Sequence, residues 1–263
     1  MAIHFEEYGN KTAPTIVFLH GGGISGWVWS KQIEYFKDYH CLIPDLPEHG
    51  KRKNEGEFSI KKSASLLAEL IEKRANGGKA AIVGHSLGAK ITVELLITRP
   101  ELITSAVVAS ALFRPIPFMK MLHKPFIYKL MAAMLRSKLL GPFLVKQYKF
   151  PEKALEDKCL LEFRQLTPAT LFRIYDELYR NLGLPKGLRQ VNVPTLVMAG
   201  EKEPEAMRQS VLDLARILPV SEGILLKKGL HTYPWAQYES FNKVIEHWIN
   251  DKQAVGDNVI HLL

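Results

Sequence analysis

Short, unbroken apolar runs separated by stretches of helical periodicity organise most of this chain. Thr15-Ile16-Val17-Phe18-Leu19, Lys79-Ala80-Ala81-Ile82-Val83, Ser105 to Ser110 and the stretch Val193 to Gly200 carry apolar residues at successive positions instead of alternating ones. A strand with one wet face would alternate, so runs like these predict strands buried on both faces of a parallel sheet. Residues 2–8 alternate weakly and predict an opening strand that stops at Gly9-Asn10, while 39–44 and 223–226 predict two more.

Between the runs the period lengthens. Helices are predicted over 27–36, with Ile33 and Phe36 on one face, and over 59–75, with Ile60, Leu67, Leu70 and Ile71 near helical spacing before Asn76-Gly77-Gly78. Leu87, Ile91 and Leu95 extend another helical face until Arg99-Pro100 ends it. Two further helices are predicted over 205–218 and 233–250, and the tail 251–263 is expected to be loosely held. Alternating strands and helices predict an α/β fold: a mostly parallel sheet of about seven strands, joined by right-handed crossovers and flanked by helices on both faces. The alternation stops from Pro115 to about Lys186, where helical patches are separated by prolines and glycines. The expected organisation is therefore a core formed by 1–112 and 189–263, with a helical cap over 113–188.

Charge sharpens that division. Of the 263 residues 47% are hydrophobic and 24% charged, as in folded globular proteins, and the net charge is +8. Fourteen Lys or Arg against six Asp or Glu lie between Leu112 and Leu188, whereas the remainder carries 21 of each sign. The basicity belongs to the insertion, where it rims Phe118, Met119, Phe126, Met131 and Phe143 among other apolar residues. Two expectations follow: an apolar helical face packed on the core with Lys directed to water, or a Met- and aromatic-lined acyl pocket whose basic rim attracts anionic esters or weakly associates with an anionic membrane surface. Nucleic acid is not expected as a partner, because no recognition motif accompanies the charge. No apolar run reaches the roughly 20 residues of a membrane helix, and the N-terminus lacks a basic stretch followed by a long apolar one, so a cytoplasmic location is expected. Cys41 and Cys159, the two cysteines, offer no disulfide framework or zinc cluster.

Candidate chemistry centres on Gly84-His85-Ser86-Leu87-Gly88, between a predicted strand and a predicted helix. Strand, sharp turn and helix make a Gly-x-Ser-x-Gly pattern a nucleophile elbow, with the Ser hydroxyl lifted clear of the sheet. The N–H of Leu87 would then lie at a helix N-terminus, which favours negative charge. Gly and Ser are common enough that the pattern alone is weak; its flanks and distant partners give it weight.

His20-Gly21-Gly22-Gly23, the segment Pro44-Asp45-Leu46-Pro47-Glu48-His49-Gly50, the elbow, Val193 to Gly200 and Gly229-Leu230-His231 occur in an order that resembles the α/β-hydrolase superfamily over nearly the whole chain. The resemblance implies a helical cap inserted after the sixth family strand and a triad in the order Ser, acid, His. By position Ser86 would be the nucleophile and His231 the base. Glu203, three residues after the strand-ending Gly200, would be the acid, with Glu205 or Glu201 as alternatives. Backbone N–H groups of Leu87 and Gly22 would form the oxyanion hole. Asp45 resembles a family residue that pins a loop through backbone hydrogen bonds, and Glu48 stands where the family usually has Gly. His20, His49 and His85 are expected to hydrogen-bond within loops.

The implied activity is serine hydrolysis of an ester or related acyl bond through an acyl-enzyme, as in a carboxylesterase acting on small to medium apolar acyl groups. That chemistry needs no metal or organic cofactor. A thioesterase, lactonase, lysophospholipase or carbon–carbon bond hydrolase would use the same triad, whereas a haloalkane dehalogenase would hold Asp in place of Ser86. A different class, a slow-turnover ligand-sensing or partner-binding protein, would keep the fold and the triad.

Overall fold

The computed structural model describes residues 3–117 and 119–262, so Phe118, the start of the predicted first strand and the last residue of the tail lie outside it. Among the described residues eight strands form one sheet: β1 (Phe5–Gly9), β2 (Thr15–Leu19), β3 (His40–Pro44), β4 (Ala80–His85), β5 (Ile103–Ala109), β6 (Thr195–Gly200), β7 (Ser221–Leu226) and β8 (Val259–His261). Their order is β1-β3-β2-β4-β5-β6-β7-β8. The outer pairs β1/β3 and β7/β8 are antiparallel and every inner pair is parallel.

The apolar runs are unbroken because the central strands face two cores. On β2, Ile16 and Phe18 join Trp29, Phe36, Phe241 and Trp248 on one side of the sheet. Val17 and Leu19 join Leu67, Ile71 and Ile91 on the other. Helices α1 (Ser30–Tyr35), α2 (Ile60–Arg74) and α3 (Leu87–Thr98) connect the early strands. The start of α2 is set by Ser59, whose hydroxyl accepts from the N–H of Lys62 at 3.2 Å and satisfies one of the end donors.

Between β5 and β6 the chain forms α4 (Met119–Leu122), α5 (Pro125–Arg136), α6 (Leu140–Lys146), α7 (Lys153–Gln165) and α8 (Pro168–Arg180). This helical segment packs over the carboxyl ends of the strands, where Ile174 of α8 comes against the Gly22 loop after β2. The core then resumes with α9 (Glu205–Ile217), α10 (Tyr233–Ala236) and α11 (Tyr238–Asp251).

Two expectations are corrected here. The helix predicted over 233–250 is two helices, broken at Gln237, whose φ of −129° and ψ of 41° are not helical. The tail is not loose: Val259 and Ile260 pair with Leu226 and Leu225 on β7 and add an eighth strand. That strand is three residues long, too short for periodicity to reveal, and its register depends on a partner far back in the chain.

Candidate active site

Ser86 stands between the last residue of β4 and the first of α3, with φ 55° and ψ −109°. Such a left-handed conformation costs a non-glycine residue about 1–3 kcal/mol, and here the surroundings enforce it. The Ser86 N–H donates to Ala109 O at 2.8 Å and its carbonyl accepts from Lys90 at 3.2 Å. A Cβ on Gly84 would collide with the Thr92 hydroxyl and the Gly88 carbonyl, and one on Gly88 with the carbonyl of Leu19. Those two glycines let strand, turn and helix close on one another.

Across the mouth of the sheet, His231 Nδ1 donates to Oε2 of Glu203 at 2.9 Å. The side chain of Glu203 is fully buried while that of His231 is 43% exposed, so the pair runs from the interior into open space. Oε1 of Glu203 accepts from the N–H of Gly200 at 2.8 Å and from the hydroxyl of Ser110 at 2.6 Å. Burial alone would raise this carboxyl's pKa, but the His231 hydrogen bond and charge, with Gly200 and Ser110, outweigh it and hold the group below its ordinary value. Glu205 is exposed, and Glu201 accepts from the N–H of Lys228 at 2.7 Å instead. Of the three candidate carboxylates, Glu203 is the one brought to His231.

The loop after β2 is fixed by neutral imidazole chemistry. His20 Nδ1 donates to Gly21 O at 2.8 Å while its Nε2 accepts from the Leu46 N–H at 3.0 Å, which only the uncharged ring can do. Burial favours that form, taking the His20 pKa down to about 4. Asp45 accepts from the N–H groups of Gly26 at 3.0 Å and Lys51 at 2.9 Å and so ties two loops together. The loop lies against the elbow: a Cβ on Gly21 would sit 3.5 Å from that of Ser86, and one on Gly22 would sit 3.6 Å from Leu87 Cδ2. Among the described residues neither the Gly22 nor the Leu87 N–H finds an acceptor in the protein.

Ser86, Glu203 and His231 open into one cavity of about 700 Å³. Its far walls are apolar, built by Met131, Met134, Leu144, Leu171, Met207 and Trp235 among others, and no Lys or Arg is among the described residues that line it. Ser86 makes no hydrogen bond to His231 among the described contacts; the two share the cavity at longer range.

Three residues here carry more than the sequence indicated. His85 does not bond within its own loop: its Nε2 donates to the carbonyl of His231 at 2.9 Å and anchors that loop to the elbow. Ser110, at a left-handed φ of 59° after β5, donates to Glu203. Glu48 takes the left-handed conformation that favours Gly, φ 65°, and its carboxylate receives Arg173 Nε at 2.8 Å and Nη2 at 2.5 Å from α8. Its being out of place in the family pattern was the available signal.

A sharp strand–Ser–helix turn sharing an apolar cavity with a His bonded to a buried Glu defines a hydrolase-like site on this sheet. The chain belongs to the alpha/beta hydrolase family, whose sequence profile matches residues 16–241. An AB hydrolase superfamily protein of Gibberella zeae is 35% identical over 109 residues, a match spanning 40% of this chain and only 38% of that protein. The (E)-2-((N-methylformamido)methylene)succinate hydrolase of Acinetobacter baylyi is 23% identical across 94% of this chain and 93% of its own. The pimeloyl-[acyl-carrier protein] methyl ester esterase of Aeromonas salmonicida is 23% identical across 95% of this chain and all of its own length. The fold is shared with MGS-M2, an alpha/beta hydrolase enzyme from a Medee basin deep-sea metagenome library, at a TM-score of 0.77 and 20% identity over 97% of this chain and 96% of that one. It is shared too with a thermophilic esterase from Thermogutta terrifontis, at 0.73 and 18% identity over 94% and 92%.

Proposed function

We propose that this protein is a serine hydrolase that cleaves carboxylic esters of uncharged, medium-length acyl groups through an acyl-enzyme. The observation that carries the reading is the bonded Glu203–His231 pair opening into the same apolar cavity as the strained Ser86. His231 takes the proton of the Ser86 hydroxyl as it attacks the acyl carbonyl, and returns it to the leaving alcohol. Glu203 keeps Nδ1 protonated and stabilises the imidazolium. The N–H groups of Leu87 and Gly22 receive the oxyanion, each worth about 3–4 kcal/mol of barrier. His231 then deprotonates a water as it attacks the acyl carbonyl, and passes that proton to the Ser86 oxygen as its bond to the acyl carbon breaks and the acid leaves.

The cavity supports the substrate class. Its volume of about 700 Å³ is that of a site for a drug-sized molecule, and its apolar lining lacks a described cation to receive a second carboxylate. Relatives named as esterases and hydrolases agree with a hydrolytic role. The test is Ser86→Ala, assayed with p-nitrophenyl esters of increasing chain length and with a fluorophosphonate probe. Loss of both turnover and labelling in a folded variant is expected; labelling that persists would remove Ser86 from the role.

A further inference from the structure

We infer that the outer surface of α4–α6 is a docking surface for an anionic lipid bilayer, placing the mouth of the cavity against the membrane. Of the thirteen large hydrophobic residues that are exposed among the described ones, seven lie between Met121 and Phe143. Met121, Phe126, Leu139 and Phe143 are 66%, 65%, 84% and 60% exposed, a concentration of apolar surface that water alone does not favour. These side chains are not core residues facing outward by accident of packing. On α5 the inner face is satisfied separately by buried Tyr128, Ala132 and Leu135, which leaves Phe126 and Leu130 as a second, outward apolar stripe.

Charge identifies the occupant. Between residues 102 and 151 there are eight Lys or Arg and not one Asp or Glu. Arg114 is taken by Asp213, and Arg136 by the carbonyls of Arg164 and Leu166. Lys124, Lys129, Lys138 and Lys146 are exposed and have no acidic partner among the described residues. Two copies meeting through this face would bring like charges together, so self-association is opposed. Apolar side chains flanked by unpaired lysines suit a surface that is anionic at the headgroups and apolar beneath them. Position agrees with this: Leu130, 58% exposed, also lines the cavity, so the apolar patch runs into its mouth.

Delivery of an ester from the bilayer rests on the hydrolase reading; the binding itself does not. Flotation with phosphatidylcholine vesicles and with equimolar phosphatidylcholine–phosphatidylglycerol vesicles tests it. Binding at least about tenfold tighter to the anionic vesicles is expected, weakening as salt is raised. Leu139→Glu/Phe143→Glu and, separately, Lys138→Glu/Lys146→Glu should each weaken it about tenfold or more, while turnover of a soluble short-chain ester stays unchanged. Failure of the wild type to float with anionic vesicles overturns the inference. So does vesicle binding that needs the lysines but tolerates Leu139→Glu/Phe143→Glu, which marks a charge-only contact that does not use the apolar patch, or a dimer dissolved by Leu139→Glu without vesicle binding, which marks a second copy. Loss of ester turnover in Ser86→Ala with flotation intact would leave the docking standing.

Discussion

The hydroxyl of Ser110 lies 2.6 Å from Oε1 of Glu203, on the opposite side of the carboxylate from His231. Oε1 is thus held by Ser110 and the Gly200 N–H together, which leaves Oε2 to His231. Removing one hydrogen bond to a charged group costs about 1.5–3 kcal/mol, part of which the remaining Gly200 N–H retains. Ser110→Ala is expected to lower kcat/KM about tenfold with little change in KM. Because Glu203 is held below its ordinary 4.5, its stabilisation is complete above that value and is lost as pH falls through the folded pKa. The variant brings that folded pKa closer to 4.5, so less stability should be lost on acidification through this window than in the wild type. Steady-state kinetics and melting curves from pH 3 to 7 measure both, and a variant indistinguishable from wild type would deny Ser110 its part.

Buried neutral histidines make a second pH dependence. His20 is taken down to about 4 and His49 to about 3, both chiefly by burial, from 6.5. Below pH 6.5 the unfolded chain gains protons that the folded one refuses, so stability declines as the pH falls from there. His20 alone contributes about 2 kcal/mol of loss by pH 5. Urea unfolding at pH 7.5 and pH 5 should show the decline, and His20→Asn should shrink the difference by that amount even if it is less stable at neutral pH. An unchanged difference would mean that the ring is charged in the folded state.

How much of this the chain disclosed follows from the range of each signal. Strands such as Thr15–Leu19 were legible because burial on both faces leaves a local, unbroken apolar run. The motif order drew Ser86, Glu203 and His231 to attention, since each sits at a strand end that a pattern can mark. Ser110, by contrast, meets Glu203 across 93 residues, and Glu48 meets Arg173 across 125. Neither pairing leaves a periodic or compositional trace. The hydrogen bond from His85 to the carbonyl of His231 was hidden for a related reason: its acceptor is backbone, which any residue supplies.

Gly22 has a steric role apart from its N–H. A Cβ there would lie 2.9 Å from Cγ2 of Ile174 on α8, closer than such contacts tolerate. Gly22→Ala is expected to push the loop and α8 apart, displacing the N–H proposed to receive the oxyanion and lowering kcat about tenfold to a hundredfold. Trimming the opposing side chain should relieve the clash, so Gly22→Ala/Ile174→Ala should recover part of the loss. If the double variant is no better than the single one, the defect lies in loop backbone and not in the contact with α8.

Glu48 sets backbone strain against a tether to the helical segment. Its left-handed φ of 65° costs about 1–2 kcal/mol relative to Gly. In exchange the carboxylate accepts from the Phe58 N–H at 2.9 Å, the Thr170 hydroxyl at 3.1 Å and two nitrogens of Arg173, joining the loop after β3 to α8. Burial opposes the charge, but Arg173 and these donors overcome it and keep the carboxyl below its ordinary value. Glu48→Ala removes the tether and keeps the strained backbone, so it should destabilise by about 2–3 kcal/mol. Glu48→Gly removes both, and should be more stable than the Ala variant by about 1 kcal/mol. Both should speed proteolytic cleavage within 113–188 while the core resists. Urea unfolding and timed proteolysis of the two variants separate the terms: equal stabilities would show that position 48 bears no strain, and unchanged cleavage would show that α8 is held elsewhere.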